Sequence, residues 1–403
     1  MTEAIEGTPR RAAKSRDPAL EALRGLASLQ VLLLHVFSAF WPALVFGAAA
    51  PSLGAAIHSS PLFLIYDGYQ APYLFFVLSG YVLTPAFSGQ IEAPGAAIVS
   101  RWVRLAVPAL AACAVSAAAH ALFQADRAWA AADLGGAWLA GGWDPPGGVA
   151  NFFIDSLWRG TLIGYTSPTT FSAAYVAPLW TLSIEFRASI VTFCLVWASL
   201  KKPSLWRSGI VVLALVCVGQ TLFCFVVGHW LAKSDAKSAL RRWPRAAKAA
   251  LALAGAALMW ADERQMLASF AEKLRYYYFV AEHIAALYGA LCVFVAFLSS
   301  ATAERWLSLR PLVALGRLSF PLYLIHWPIV FGLGSWTYRF ARTSLSLGSS
   351  SAAAITIVTT LLLSLVGAEL FAHVDVWAVE SARRLRMRYS PSPESLAPTE
   401  AVS

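Results

Sequence analysis

From Glu21 to Phe46 the chain is apolar enough to cross a membrane, yet Arg24 and His35 stand inside that run. A spanning helix needs roughly 20 apolar residues. An ionisable side chain within one costs roughly 2.5 kcal/mol or more, so it faces a cavity, a partner or a ligand rather than lipid. The two stand eleven positions apart. Eleven helical steps of about 100° return to nearly the same face, with His35 about 16 Å deeper. Such a stripe suits a cleft with an anion-binding guanidinium at its mouth and an imidazole, which titrates near neutral pH, at its reacting end. The residues alone leave two other readings open: Arg24 snorkelling to the interface, and His35 as a packing histidine.

The rest of the chain repeats this apolar character. Of 403 residues, 58% are hydrophobic and only 13% charged, whereas soluble domains carry about 25% charged residues. Mean hydropathy is +0.61. The composition predicts an all-α, polytopic integral membrane helical bundle, with the lipid bilayer as its surroundings and no separate soluble domain. A net charge of +9 does not imply nucleic acid, because the bases gather at the ends of apolar segments, as topology signals do, instead of forming one basic face. Cys113, Cys194, Cys217, Cys224 and Cys292 lie in apolar runs without metal-ligand spacing or a pairing pattern, and read as packing residues. No His-x-x-x-His or carboxylate cluster predicts a metal site. No Gly-x-Ser-x-Gly elbow offers a serine nucleophile.

Basic flanks set the expected topology. Residues 1–19 form a basic cytoplasmic tail, and no short apolar region with a cleavage site marks the first helix for removal. A membrane domain is expected over 20–378. Within it a second span covers about Tyr69 to Phe87, and a cytoplasmic segment carries Arg101 and Arg104. A third span, about Leu105 to Phe123, leads into a Trp-rich external loop, 124–177. A fourth runs from Pro178 to Lys201. Between Arg207 and Lys233 there is apolar length for one crossing, yet both flanks are basic; one helix, an interfacial hairpin or a shortened helix pair all fit, and the pair is preferred. A basic cytoplasmic loop, 233–248, precedes spans near 249–261, 278–299, 312–334 and 351–374. Residues 379–403 are expected to form a disordered cytoplasmic tail. Both termini are thus placed on the cytoplasmic side of the cell membrane.

Several short segments carry chemistry-bearing side chains. Arg101 and Arg104 lie three apart and share a helix surface, where two planar guanidiniums match phosphate geometry or, alternatively, lipid headgroups. Glu185 is an intramembrane carboxylate that demands a partner, either Arg187 nearby or an imidazole it orients. Ser79 precedes Gly80 in a position that admits a ligand or a neighbouring helix. Tyr323 and His326 belong to an aromatic group that an interface belt would also offer.

The ordered set Arg24-Gly25 with His35, Phe75-Phe76-Val77-Leu78-Ser79-Gly80-Tyr81, Arg101-x-x-Arg104, Trp180-Thr181-Leu182-Ser183-Ile184-Glu185 and Tyr323-Leu324-Ile325-His326-Trp327-Pro328 resembles the motifs of the membrane acyltransferase-3 family over nearly the whole chain. Trp377 stands where that family's pattern has a proline. The resemblance implies about 8–10 transmembrane helices and transfer of an acyl group, most often acetyl, from a cytoplasmic acyl-CoA donor to a hydroxyl of a carbohydrate such as an exopolysaccharide. It implies His35 as general base and Glu185 as a second catalytic group. Arg24, Arg101 and Arg104 would bind the donor, and Ser79, Tyr323 and His326 would contact substrate. No cofactor beyond the acyl-CoA donor and no nucleic-acid partner is expected. An acyl-histidine intermediate is as compatible with these residues as direct transfer, and a transporter or flippase for a small anionic or glycosylated substrate is the alternative function.

Overall fold

The computed structural model describes residues 17–48, 50–165, 167–263 and 283–389. Most of the tail at 1–19, the start of the 278–299 span and the end after Tyr389 lie outside the described residues. Among those described, the chain is helical throughout and contains no strand. The longer helices are α1 (Pro18–Phe40), α2 (Ala71–Ser88), α3 (Pro94–Leu134), α4 (Trp180–Lys201), α5 (Pro203–Cys217), α6 (Thr221–Lys233), α7 (Arg245–Glu263), α8 (Ile284–Ser299), α9 (Arg310–Arg317), α10 (Ser319–Pro328), α11 (Ser335–Thr343) and α12 (Ser349–Tyr389). Among the described residues, five helices are long and apolar enough to cross a membrane, or seven if two bent pairs each count as one span. The molecule is a multi-pass membrane protein.

Local chemistry sets where α1 starts. Asp17 caps its N-terminus, accepting from the amides of Ala19 at 3.0 Å and Leu20 at 3.4 Å, and Pro18 occupies the first turn, where no amide partner is required. Most of the helix is then buried, so α1 is the central strut of the bundle. Its depth is fixed by contact with α9: a methyl group added at Gly25 would meet the backbone of Gly316, and one at Gly316 would meet the backbone of Glu21. Two helices approach this closely only where neither carries a side chain. Gly80 of α2 and Gly228 of α6 make a second crossing of this kind, each facing the other helix's backbone.

The ambiguous segment 207–233 resolves into the short pair α5 and α6, broken at Val218–Gln220, where Gly219 takes a φ of +81°. His229 ties the pair to α2, since its Nε2 accepts from Trp206 at 3.0 Å and its Nδ1 faces Thr84 Oγ1 at 2.9 Å. The third span is longer than its apolar run: α3 continues through residues 124–134, the first part of the expected loop, to a left-handed C-cap at Gly135. Likewise α12 remains helical through Arg383 to Tyr389, where the sequence reading places disorder. At 41 residues each, α3 and α12 reach about 60 Å, twice the roughly 30 Å hydrocarbon thickness. They pack along one another and project beyond it.

Ion pairs gather at both ends of the bundle. One end gathers Lys237 with Asp17 and Glu304, Arg241 with Glu304, and Lys201 with Glu92. The opposite end holds the pairs Arg339–Asp126, Arg342–Asp133 and Arg127–Asp144.

Candidate active site

At the basic end, the start of α1, the later half of α2, the start of α3, α4 and the last turns of α12 enclose a cavity of about 410 Å³. Five guanidiniums line it, from Arg24, Arg101, Arg104, Arg383 and Arg386, against the carboxylates of Asp17, Glu21 and Glu185. An excess of fixed positive charge in a concave site concentrates anions there. Arg101 reaches Glu185 at 2.5 Å, and Ser79 Oγ donates to the same carboxylate oxygen at 3.2 Å. Arg24 lies 3.8 Å from Glu21, and Arg104 lies 3.9 Å from Asp375. Arg24, Arg101, Arg104, Ser79 and Glu185, singled out from four separate stretches of sequence, therefore share one cavity.

A narrow neck of about 30 Å³ continues inward from Arg24, Ser79 and Glu185, between Phe75, Phe76 and Phe320, and ends at Thr181 and Tyr323. Space of that size holds about one water molecule. The Tyr323 hydroxyl donates to the carbonyl of Pro178 at 2.9 Å and lies 2.9 Å from Thr181 Oγ1. Its ring stands 6.2 Å from that of His326.

Beyond the neck lies a pair of imidazoles. His35 Nδ1 and His326 Nε2 are 2.8 Å apart, and their ring planes lie within 6° of parallel. His326 Nδ1 lies 3.0 Å from the carbonyl of Leu322, one turn back on α10. A carbonyl can only accept, so His326 carries its proton on Nδ1 and presents a lone pair on Nε2. His35 must then donate from Nδ1, which leaves its own Nε2 as the free basic nitrogen. Trp138 stacks on the His35 ring at 5.6 Å, and Trp327 meets it edge-on at 5.2 Å. These two indoles pack against the imidazole and hold its orientation.

The group orienting His35 is thus His326, which the sequence reading assigns to substrate contact. Glu185 sits with the arginines at the basic end. It orients no imidazole, and its partner is not Arg187, whose Nε donates to the carbonyl of Ser183 at 3.1 Å. The cause is depth, since His35 lies about 16 Å farther along α1 than Arg24. Four further residues escaped the sequence reading. Trp138 comes from a short helix, Ala137–Gly141, whose carbonyls at Leu139 and Ala140 are gripped by the buried Arg127; nothing in its sequence marks it. Trp327 adjoins His326 within a quoted motif. Arg383 and Arg386 read as topology signals, yet with Val379 and Ala382 they recur at helical spacing along one face of α12, the face that closes the cavity.

No curated protein and no solved structure matches the chain. A sequence model of the acyltransferase-3 family, described as an acyltransferase domain, matches residues 17–369. The chain belongs to that family and is an O-acyltransferase.

Proposed function

We propose that this acyltransferase takes an acyl group from an acyl-CoA-type donor at the cytoplasmic face of the cell membrane and passes it to a carbohydrate hydroxyl. Arg24, Arg101 and Arg104 bind the donor's phosphates, and Ser79 and Glu185 hold Arg101 in place. The acyl-bearing arm enters the neck past Phe75 and Phe76. Because that neck has room for about one water, donor binding must displace the Tyr323 hydroxyl from Pro178 and Thr181.

At the inner end His35 acts as general base. Its Nε2 removes the proton from the acceptor hydroxyl while that oxygen attacks the thioester carbonyl; the C–S bond then breaks, and the leaving thiolate takes the proton from His35. Throughout, His35 Nδ1–H stays bonded to His326, so the positive charge on the imidazolium is shared with a fixed acceptor.

One observation carries this reading: the relay from the Leu322 carbonyl through His326 to His35 leaves a basic nitrogen on the same helix as an arginine of the anion-binding cavity. The test is transfer of radiolabelled acetyl from acetyl-CoA to a panel of glycans by purified protein, comparing the native chain with His35→Gln. Label should reach an acceptor only with the native chain. Equal labelling by both would remove His35 from the chemistry, and transmembrane movement of a glycan without any acyl donor would replace transfer with transport.

A further inference from the structure

The family match ends at residue 369, but the wall of the cavity does not. Val379, Ala382, Arg383 and Arg386 all lie beyond it and all line the cavity. Their separations of three, one and three residues place them on one stripe of α12. The same helix is anchored to α3 farther back, where Asp375 meets Arg104 at 3.9 Å. From Asp375 to Arg386 the helix advances eleven residues, about 16 Å. Arg386 also borders the outer recess formed by Ala86, in the last turn of α2, and by Gly89 and Gln90 after it. The five guanidiniums are therefore not one cluster. Arg24 borders the neck with Ser79 and Glu185, and Arg101 bonds to that Glu185, whereas Arg383 and Arg386 line the wider cavity and not the neck. On α12 the carboxylate of Glu380 turns to Arg384 at 3.5 Å, and neither of those two lines the cavity.

We infer that Arg383 and Arg386 form a second anion subsite, which recognises a phosphate of the donor separate from the diphosphate held by Arg24, Arg101 and Arg104. Resting on the donor assigned above, this phosphate is the 3′-phosphate on the ribose of the acyl-CoA. A single diphosphate does not reach from Arg104, which is level with Asp375, to Arg386, eleven residues or about 16 Å farther along α12. A nucleotide bearing anionic groups at both ends of its ribose does. Each phosphate carries up to two negative charges and several acceptor oxygens, to which guanidinium donates paired hydrogen bonds. The subsite thus makes the donor preference of this chain a property of its last helix.

The experiment compares acetyl-CoA with acetyl-dephospho-CoA, which lacks only the 3′-phosphate, using purified full-length protein in nanodiscs of zwitterionic lipid. For the native chain the ratio of kcat/KM between the two donors should favour acetyl-CoA by about 10-fold or more, the worth of one or two charge-assisted hydrogen bonds. In Arg383→Gln/Arg386→Gln that ratio should fall toward one, through KM rather than kcat. Arg383→Lys/Arg386→Lys should restore part of it, which also shows that the double substitution leaves the fold intact. Arg101→Gln should weaken both donors alike. A native ratio near one, or a ratio unchanged in the double Gln variant, would overturn the subsite while leaving the proposed function standing. If anionic lipid abolishes the native ratio and the double Gln variant is insensitive to lipid, the two arginines bind headgroups and the assignment is wrong. Transfer from neither donor by the native chain would overturn the proposed function itself.

Discussion

At His35 the hydrogen-bond relay yields a graded expectation. His35→Gln should lower single-turnover acyl transfer by about 10²–10⁴-fold, the usual worth of a general base, while acetyl-CoA binding measured by calorimetry stays unchanged, because Arg24, which lines the arginine cavity, lies about 16 Å away along α1. For the orienting partner, His326→Gln retains an acceptor for His35 Nδ1–H and should cost less than His326→Leu, which leaves that proton unpaired. Equal losses would show that His326 serves packing alone. Asp155, between two spans, carries a different prediction. Burial pushes its carboxyl up from 3.8 to about 6, only partly offset by the Tyr175 amide that donates to Oδ2 at 2.9 Å and by Arg159. A folded acid that holds its proton more tightly than the unfolded chain makes stability fall as pH rises from about 4 through about 6, by at most about 3 kcal/mol. Asp155→Asn keeps an acceptor for Tyr175 and should flatten this dependence, so melting temperatures in detergent should converge at pH 4 and favour the variant at pH 7.5. His35 was legible in the sequence because an imidazole in an apolar run needs a reason. Its pairing with His326, 291 positions away, was not, because it depends on how α1 and α10 pack.

Among elements, the crossing of α1 and α9 is the joint that holds Arg24 at the cavity while His35 meets α10. Gly25→Ala places a methyl group against the Gly316 backbone, and overpacking of this kind typically costs about 1–3 kcal/mol. Thermal stability and monodisperse yield should fall with Gly25→Ala and hold with Gly209→Ala, where a methyl group on α5 meets nothing within 4 Å. If both variants behave like the native chain, the close approach does not set the depth of α1. Spans were readable as apolar length between basic flanks, and the α5–α6 pair was readable as a conflict between that length and those flanks. Helix ends were less so. The lengthening of α3 over residues 124–134 and of α12 to Tyr389 occurs where polar residues cease to report the bilayer but still support helix through partners such as Arg342–Asp133 and Arg339–Asp126. The Arg127 clamp that presents Trp138 to His35 is tertiary as well, and no periodicity announces it.

For the whole molecule, the proposed donor route requires the arginine cavity to open toward the cytoplasm. Lys201, Lys237, Arg241, Arg383 and Arg386 share the end that opens into the arginine cavity, whereas the other end carries Arg127, Arg339 and Arg342. By the number of Lys and Arg it carries, paired or not, the cavity end is expected on the cytoplasmic side, which is also where an acyl-CoA pool resides. In a variant with its five native cysteines replaced, Ser234→Cys lies at the basic end and Ser344→Cys at the other, both exposed. A membrane-impermeant maleimide should modify Ser344→Cys in intact cells and Ser234→Cys only after permeabilisation. The reverse pattern would open the arginine cavity to the outside, where a CoA thioester cannot be drawn upon, and the donor route would have to be abandoned even if His35 proved essential.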